Sequence, residues 1–311
     1  MSSSQPLAAG LLVLAASAFA QPGAFQEESD AQNLEAEAAD RSGLRGVTYR
    51  IRLQSDATIQ EPRVYQRLEV QDDHGREAFL LVERDPAEPS WKDFAAFYFR
   101  WSSPARPIEI VTGDLRPGFG QGLLFSRTSR NGVGDWRSRA DHRRLGYRSS
   151  GENESFRGLV VRGSSGVWSW ALLGGRGRRD ARVDETGTVT SLPTSGIHVS
   201  QVERAGRDRL GLRVAGARLR WAVNGVSVGL VGQDLRFDRP LDLRQQGRKG
   251  AAFHGKRMRL GSADLALKRQ QLDLAAAIAV DGSSRTGAAM GCDVANSRSA
   301  PGESRGSPAD G

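Results

Sequence analysis

The glycine-rich segment Gly118-Phe119-Gly120-Gln121-Gly122 has a composition that suits a loop cradling a phosphate. A dinucleotide-binding turn needs the spacing G-x-G-x-x-G, and a Walker loop needs a lysine after its last glycine. The segment has neither feature, and residues 123–125 continue it with the apolar side chains of a strand. Glycine within a strand marks a bulge or a close approach of another group. We therefore predict that Gly120 and Gly122 are strand glycines and that no nucleotide binds there.

Histidine, cysteine and serine form no catalytic or metal-ligating pattern. The four histidines lack the spacing of a zinc site, and they are His74, His142, His198 and His254. The single cysteine, Cys292, excludes an internal disulfide. His198 lies near Ser195 and Ser200, so a hydrolase stays open as an interpretation, although no G-x-S-x-G turn is present. A solvated turn is the alternative, and we predict no catalytic, cofactor-binding or metal site.

The net charge of +8 comes almost entirely from arginine, because only four of the 44 basic residues are lysines. Such a surface can bind nucleic acid, lipopolysaccharide phosphates or anionic solutes. The alternative is that the arginines occupy ordinary solvent-exposed positions and bind no ligand. The basic runs 137–148 and 176–182 contain few aromatic residues that would stack on bases. We therefore do not expect nucleic-acid binding, and we predict that both runs lie on external loops facing lipopolysaccharide phosphates.

The N-terminus has the pattern of an export signal. Residues 7–20 form an apolar run that is too short to span a membrane and ends in Ala18-Phe19-Ala20, a typical cleavage pattern. The preceding residues contain no lysine or arginine, so a buried N-terminal helix is the alternative. We predict a signal peptide over residues 1–20, cleaved near Ala20. Residues 21–45 are acidic and lack an apolar stripe, which predicts a linker.

From Val47 onward the apolar residues recur with a period of two, which is typical of strands with two different faces. The clearest examples are Tyr49, Ile51 and Leu53; Leu219, Trp221 and Val223; Val226, Val228 and Leu230; and Leu272, Leu274 and Ile278. No apolar stretch reaches the length of a transmembrane helix, but a membrane barrel needs only short alternating strands. We predict roughly a dozen strands between Val47 and Asp281.

The connections and the aromatic residues favour a barrel in a membrane over a soluble sandwich. Short connections at 72–75 and 163–166 contrast with long polar ones at 128–142 and 176–196, as expected for the two rims of an outer-membrane barrel. Aromatic residues lie toward segment ends, where interfacial girdles occur; they are Trp91, Phe94, Trp101, Tyr147, Trp168, Trp170, Trp221 and Phe237.

Period two also predicts which side chains face lipid. Burying arginine against lipid at the membrane centre costs about 2–4 kcal/mol. The stripe Leu219, Trp221 and Val223 should therefore face lipid, while Arg218 and Arg220 face the lumen. Acidic residues near arginines are also expected in the lumen, and the candidates are Glu83, Glu109 and Asp114.

Three segments resemble a family of bacterial outer-membrane β-barrels that is usually recognised by an N-terminal helix-hairpin-helix module. The first, within residues 83–123, carries Gly113, Asp114, Gly118, Gly120, Gln121 and Gly122. The second, residues 150–158, carries Phe156, Arg157 and Gly158. The third, residues 193–203, carries Gly196, His198 and Glu203. The resemblance covers residues 47–282 and implies structural roles for these residues.

The chain departs from that family at both ends. No helix-hairpin-helix module is visible, so the DNA contact that the module implies is not expected here. Residues 283–311 are rich in Ser, Gly, Pro and Arg and lack a strand pattern, whereas a bacterial barrel normally ends in a strand with a terminal aromatic residue. We interpret them as a disordered or frame-shifted tail of a C-terminally truncated chain.

Together these observations predict an all-β fold, an antiparallel up-and-down transmembrane β-barrel over residues 46–282 with an open C-terminal seam. The expected function is that of a non-enzymatic, porin-like outer-membrane protein: a channel, a transport or assembly component, or a surface scaffold. Its expected partners are the lipid bilayer, lipopolysaccharide and the barrel-assembly machinery, without a cofactor. The alternative is a soluble secreted basic β-protein that binds polyanions such as nucleic acid or lipopolysaccharide. The transported solute and the oligomeric state are left open.

Overall fold

The computed structural model describes residues 34–36, 44–54, 62–84, 94–125, 141–142, 144–193, 200–243, 253–269, 272–282 and 286–294. The predicted signal peptide, most of the predicted linker and the segment carrying Gly196 and His198 lie outside these residues. Within them the chain is almost entirely β-structure, with one short α-helix, α1 (Gln201–Gly206), and a single turn of 3-10 helix at Glu152–Glu154. No helix in the described part is long and apolar enough to cross a bilayer.

The fold is a run of strands in chain order. They are β1 (Leu34–Ala36), β2 (Leu44–Gln54), β3 (Arg63–Asp72), β4 (Glu77–Arg84), β5 (Phe94–Ser102), β6 (Ile108–Leu115), β7 (Phe156–Ser165), β8 (Trp168–Arg179), β9 (Arg182–Val183), β10 (Val189–Ser191), β11 (Leu210–Val223), β12 (Val226–Asp242), β13 (His254–Arg269), β14 (Leu272–Asp281) and β15 (Thr286–Val294). The stretches with period two fall in β2, β11, β12 and β14, so these predicted strands are confirmed.

The strands form one antiparallel, up-and-down sheet in which each long strand pairs with the next. Two short strands leave this path, because β8 pairs with β11 while β9 and β10 pair with each other. β10 also joins β12 in parallel through Val189 and Leu241. In the described residues β1 pairs only with β2 and β15 only with β14, so the sheet is open. The predicted all-β class and open antiparallel sheet are thus confirmed.

The connections differ between the two ends of the strands. Short connections of two to five residues join β3 to β4, β5 to β6, β7 to β8, β11 to β12 and β13 to β14, and all five lie at one end, which we call the short-turn rim. The β11–β12 turn is Asn224-Gly225 with φ values of 46° and 81°, as a two-residue hairpin requires. Longer connections lie mostly at the opposite end, the long-loop rim. The predicted loop 176–196 is wrong in part, because β8 continues to Arg179 and two short strands follow.

The prediction that no strand follows Asp281 is also wrong. β15 pairs with β14 from Val280↔Thr286 to Leu272↔Val294. Its sequence, TGAAMGCDV, alternates with almost no contrast in hydropathy, because most of its side chains are small. Small residues of β14 lie opposite them, as at Ala277↔Ala289, so the two backbones pair without a strong apolar pattern. β1 likewise forms within the predicted linker.

Side chains of the long strands alternate between an inner and an outer face. On β4, Phe79 and Leu81 are buried on the inner face, whereas Leu80 between them is exposed on the outer face. The inner faces of β4 to β12 pack on one apolar cluster that includes Phe119, Phe125 and Leu145 from the β6–β7 connection. The sheet therefore curls around this connection, with its outer face turned away from it.

Candidate functional site

The β6–β7 connection folds inward and fills the concave side of the sheet. We call its described parts, residues 116–125, 141–142 and 144–155, the inner segment. Backbone hydrogen bonds hold it together: Arg116 N donates to Leu145 O over 2.9 Å and Phe119 N donates to Phe125 O over 3.1 Å. Its largest buried side chains contact the strands around it, and they are Phe119, Phe125, Leu145 and Tyr147. The interior at this level is packed with side chains.

The prediction that Gly120 and Gly122 lie in a strand is wrong, because the inner segment turns at both glycines. Gly120 and Gly122 have φ values of +53° and +80°, which lie in the left-handed region that favours glycine. Gly122 N donates to Phe119 O over 3.0 Å, so the chain turns here instead of extending. The predicted close approach is present, because a Cβ on Gly120 would lie 2.5 Å from Asp264 Oδ2. Gly118 and Gln121 are buried in the same segment.

A first ion-pair cluster lies on the inner faces of β3, β4 and β5. Arg148 of the inner segment pairs with Glu69 and lies 3.5 Å from Glu77. Glu77 is only 3% exposed, and it also pairs with Arg100 at 3.0 Å and accepts a hydrogen bond from the Tyr98 hydroxyl. The carboxylates are thus neutralised where burial would otherwise penalise their charge.

The cluster continues along the same faces. Glu109 pairs with Arg162 at 2.8 Å and with Arg100 at 3.6 Å, and Glu83 pairs with Arg63 at 2.6 Å. The prediction that Glu83 and Glu109 line the interior beside arginines is confirmed. The sequence did not single out their partners, because each arginine lies on a different strand and only the pairing of the strands brings it near.

A second cluster locks the inner segment to distant strands. Arg218 on β11 is 3% exposed, and its guanidinium pairs with Asp264 on β13 and, at 3.0 Å, with Asp141. Asp141 Oδ1 also accepts a hydrogen bond from Gly120 N over 2.8 Å. The guanidinium lies against Gly229, where any side chain would collide with it. This arrangement joins β11, β13 and the turn at Gly120 into one rigid unit.

The motif residues Asp114 and Arg157 meet on the outer face, which corrects the prediction that Asp114 lines the lumen. Arg157 donates to both Asp114 oxygens, over 3.1 and 3.0 Å, and lies over the ring of Phe97. Asp114 Oδ2 also accepts from Phe97 N over 2.9 Å, because the ladder is distorted where Gly113 adopts a φ of +115°. A Cβ on Gly113 would collide with the β5 backbone.

The remaining motif residues have structural roles where they are described. Phe156 packs inward against Gly175, and a side chain on Gly158 would collide with the backbone of β8. Glu203 forms a capping box with Ser200, in which Ser200 N donates to Glu203 and Glu203 N donates to Ser200 Oγ. Gly196 and His198 lie outside the described residues, so the histidine–serine interpretation stays untested.

The basic runs do not form external loops in the parts that are described. Arg148 lies inside the sheet with Glu69 and Glu77, as given above. Arg179 belongs to β8, and its Nη1 donates to the carbonyl of Ser155 over 2.8 Å. The prediction failed because local charge density does not reveal whether a run continues a strand or folds inward.

The outer face of the sheet is apolar between the short-turn rim and the level of Arg176 on β8. Its exposed large side chains include Leu172, Leu219 and Leu230, and Leu230 is 55% exposed. The predicted orientation of β11 is confirmed, because Leu219 is exposed while Arg218 is buried on the opposite face. Tryptophans lie on this face near the short-turn rim, and they are Trp101, Trp168, Trp170 and Trp221.

Three of the aromatic residues predicted for the interface lie elsewhere, and Trp91 is outside the described residues. Phe94 packs inward on the apolar cluster, with its ring centroid 6.3 Å from that of Tyr147. Tyr147 is buried in the inner segment, and Phe237 packs on Phe253 with ring centroids 6.0 Å apart. The Tyr147 hydroxyl donates to Gly151 O over 2.6 Å and lies 3.2 Å from Glu154 Oε2. Burial raises the pKa of Tyr147 above its ordinary value, and the neighbouring Glu154 carboxylate adds to this.

The described residues contain no group of three or more His, Cys, Asp or Glu side chains that would hold a metal ion. No family model, curated protein or solved structure significantly matches this chain. The resemblance carried by the three motif segments therefore stays a prediction.

Proposed function

We propose that this chain is a non-enzymatic β-barrel protein of the bacterial outer membrane, exported with the predicted signal peptide. The observation that carries the proposal is a broad apolar band on the outer face of the sheet, opposite an inner face that buries charged residues beside its apolar cluster. Charged residues such as Arg218 and Glu77 are buried on the inner face, while leucines are exposed on the outer face. A water-soluble sheet exposes polar side chains on its outer face, whereas lipid around the sheet requires apolar ones there.

The exposed apolar side chains lie next to each other across neighbouring strands. Leu219 on β11 lies beside Leu230 on β12 and Trp170 on β8, and Leu230 continues through Ala263 to Ile278 on β14. Such contiguous apolar surface is rare on soluble monomers, where it marks an interaction surface. The acyl chains of a bilayer provide a partner of matching polarity for the whole band.

The height of the band supports a membrane as this partner. On β8 the outer face runs from Trp168 near the short-turn rim to Arg176 near the long-loop rim. Eight residues of strand span about 26 Å along the strand, or about 20 Å for a strand tilted by about 40°. The apolar band of outer-membrane barrels is about 25 Å tall and is flanked by aromatic residues. The tryptophans near the short-turn rim correspond to such a flanking row.

The packed interior favours a surface scaffold or a gated transport or assembly component over a wide, open pore. Phe119, Phe125 and Leu145 occupy the space that would be water in a porin. The inner charges are engaged in ion pairs, and we therefore propose no catalytic step. In this proposal the partners are the lipid bilayer and the barrel-assembly machinery, with short turns in the periplasm and long loops outside.

Fractionation of Gram-negative cells that express the full chain tests the proposal. We expect the mature chain in the outer-membrane fraction after a high-salt wash, released only by detergent, and lacking residues 1–20 by mass. A chain recovered from the soluble periplasm would overturn the proposal in favour of the secreted polyanion-binding protein. In a planar bilayer, we expect the purified protein to give no large, steady conductance.

A further inference from the structure

Five arginines form a row across five neighbouring strands on the outer face. Cross-strand partners place Arg157 on β7 beside Arg176 on β8, and Arg176 beside Arg213 on β11. The row continues from Arg213 to Arg236 on β12 and on to Arg257 on β13. We call these residues the arginine row. With strands about 4.8 Å apart, it spans about 19 Å along the long-loop side of the apolar band.

Like charges directly opposite each other on neighbouring strands destabilise a sheet, so the row needs compensation. The structure supplies it at both ends. Asp114 binds Arg157 in a fork, and Asp234 accepts from Arg236 over 2.9 Å and from Arg257 over 2.7 Å. The two central arginines differ: within the described part of the chain, the side chains of Arg176 and Arg213 make no ion pair or hydrogen bond.

The centre of the row borders a groove of about 960 Å³ at the long-loop end of the sheet. Arg176, Arg178, Arg213 and Arg236 all line it. Four aspartates and seven arginines line this groove, and the aspartates are Asp114, Asp180, Asp208 and Asp238. Asp114 binds Arg157, as given above, and one oxygen of Asp238 accepts a hydrogen bond from Gly211 N over 2.9 Å. The groove therefore presents several guanidinium groups to any molecule that enters it from the outer face.

A second groove, of about 640 Å³, lies on the outer face of β8, β11, β12, β13 and β14, nearer to the short-turn rim than the first groove. It is lined by the apolar side chains of Leu172, Leu219 and Leu230, with Gly232 and Gly261 at its floor. Gly232 is four residues before Arg236 on β12, which places the apolar groove about 13 Å closer to the short-turn rim. The two grooves together match a molecule with an anionic head and an apolar chain.

We infer that the arginine row binds the phosphates of a phosphorylated glycolipid of the outer leaflet, with an acyl chain of that lipid in the apolar groove. The inference rests on the proposed membrane location and names the lipid partner of that surface. Arginine forks match phosphate oxygens in pairs, and basic pockets beside a membrane bind lipid headgroups. Nucleic acid fits less well, because the leucine side chains of the second groove match an acyl chain better than they match a stack of successive bases.

Binding of defined lipids to the purified full chain in a zwitterionic detergent tests the inference, with native mass spectrometry or a competition assay as readout. The probes are lipid A carrying both phosphates, dephosphorylated lipid A, pyrophosphate and a single-stranded oligonucleotide. We expect lipid A to bind at least tenfold more tightly than each of the other three. Equal binding of the dephosphorylated lipid, of pyrophosphate alone or of the oligonucleotide would overturn the inference.

The double substitution Arg176→Gln/Arg213→Gln should weaken lipid A binding at least tenfold. The matched control is Arg106→Gln/Arg269→Gln, which removes the same charge at the short-turn rim and should change the affinity less than twofold. Equal affinity of both variants would contradict the inference even where fractionation places the chain in the outer membrane. Because the wild-type lipid comparison needs no variant, a variant that fails to fold does not prevent a decision. A soluble chain, in contrast, contradicts the proposed function itself.

Discussion

Arg218 and Asp264 lie on strands that are not neighbours, yet their side chains form a buried ion pair across the strand between them. The contact is possible because the intervening strand β12 carries Gly229 where the guanidinium passes. Asp141 of the β6–β7 connection completes the cluster from the inside. A change at any of these positions should therefore affect both the sheet and the inner segment.

Replacement of Arg218 with methionine should lower the free energy of unfolding by about 3–5 kcal/mol, because the buried carboxylate of Asp264 and the half-buried one of Asp141 would lose their common partner. Urea unfolding of the purified protein in detergent measures this. The matched control is Arg76→Met, which breaks an exposed pair with Asp72 and should cost about 1 kcal/mol or less. Similar losses in the two variants would show that the buried cluster has no special role.

Leu219→Arg should impair assembly into the membrane, because it places a charge on the apolar outer face at a cost of about 2–4 kcal/mol. Arg220→Leu changes the neighbouring side chain, which lies on the inner face, and should have a milder effect. The quantity to compare is the fraction of each variant that resists extraction from the outer membrane. Equal defects would contradict the assignment of the two faces.

Gly120→Ala should lower the free energy of unfolding by about 1–3 kcal/mol, since alanine is strained at this positive φ and its methyl group would press on Asp264. Gly46→Ala is the control, because nothing lies within 4 Å of a Cβ there. Neither variant should alter nucleotide binding, which we expect to be absent. Nucleotide affinity in the wild type that disappears in Gly120→Ala would refute the structural role given to this glycine.

Tyr147 should make the stability depend on pH in the alkaline range. Its folded pKa is raised by burial above the value of about 10 for an unfolded tyrosine. Its contribution is therefore complete below pH 10 and is lost as the pH rises through the folded pKa. Tyr147→Phe should cost about 1 kcal/mol at pH 8 and flatten this part of the profile. Unfolding curves from pH 8 to pH 11 that run parallel in both proteins would argue against it.

Features that depend only on residues close together in the sequence, such as the two faces of a strand, could be predicted. Alternation placed Leu219 and Arg218 on opposite faces, and the Asn224-Gly225 pair is typical of the tight hairpin that forms there. The sequence could not predict the position of Gly120, because a glycine-rich apolar stretch suits a strand and an inward turn equally. Contacts with residues that are distant in the sequence select the turn over the strand, and the contact between Gly120 and Asp264 is one of them.

The arginine row escaped prediction for a different reason. Arg157 and Arg257 are 100 positions apart in the sequence, and they lie on strands that do not pair with each other. Only the register of four successive strand pairs brings the five residues into one line. Low contrast between faces hid β15 in the same way, since its alternating small residues resemble an unstructured tail.

The inner segment also constrains the order in which this protein acquires its structure. The hairpins use contacts between neighbouring strands and need no other part of the chain, whereas Asp141 and Arg218 are 77 residues apart. Contacts over such separations carry a large loop-closure cost and form late. We therefore expect the sheet to reach its final curvature only after β11 and β13 have contacted the inner segment. A twisted run of hairpins is the expected precursor, and we expect closure of the Arg218 cluster to fix its final curvature.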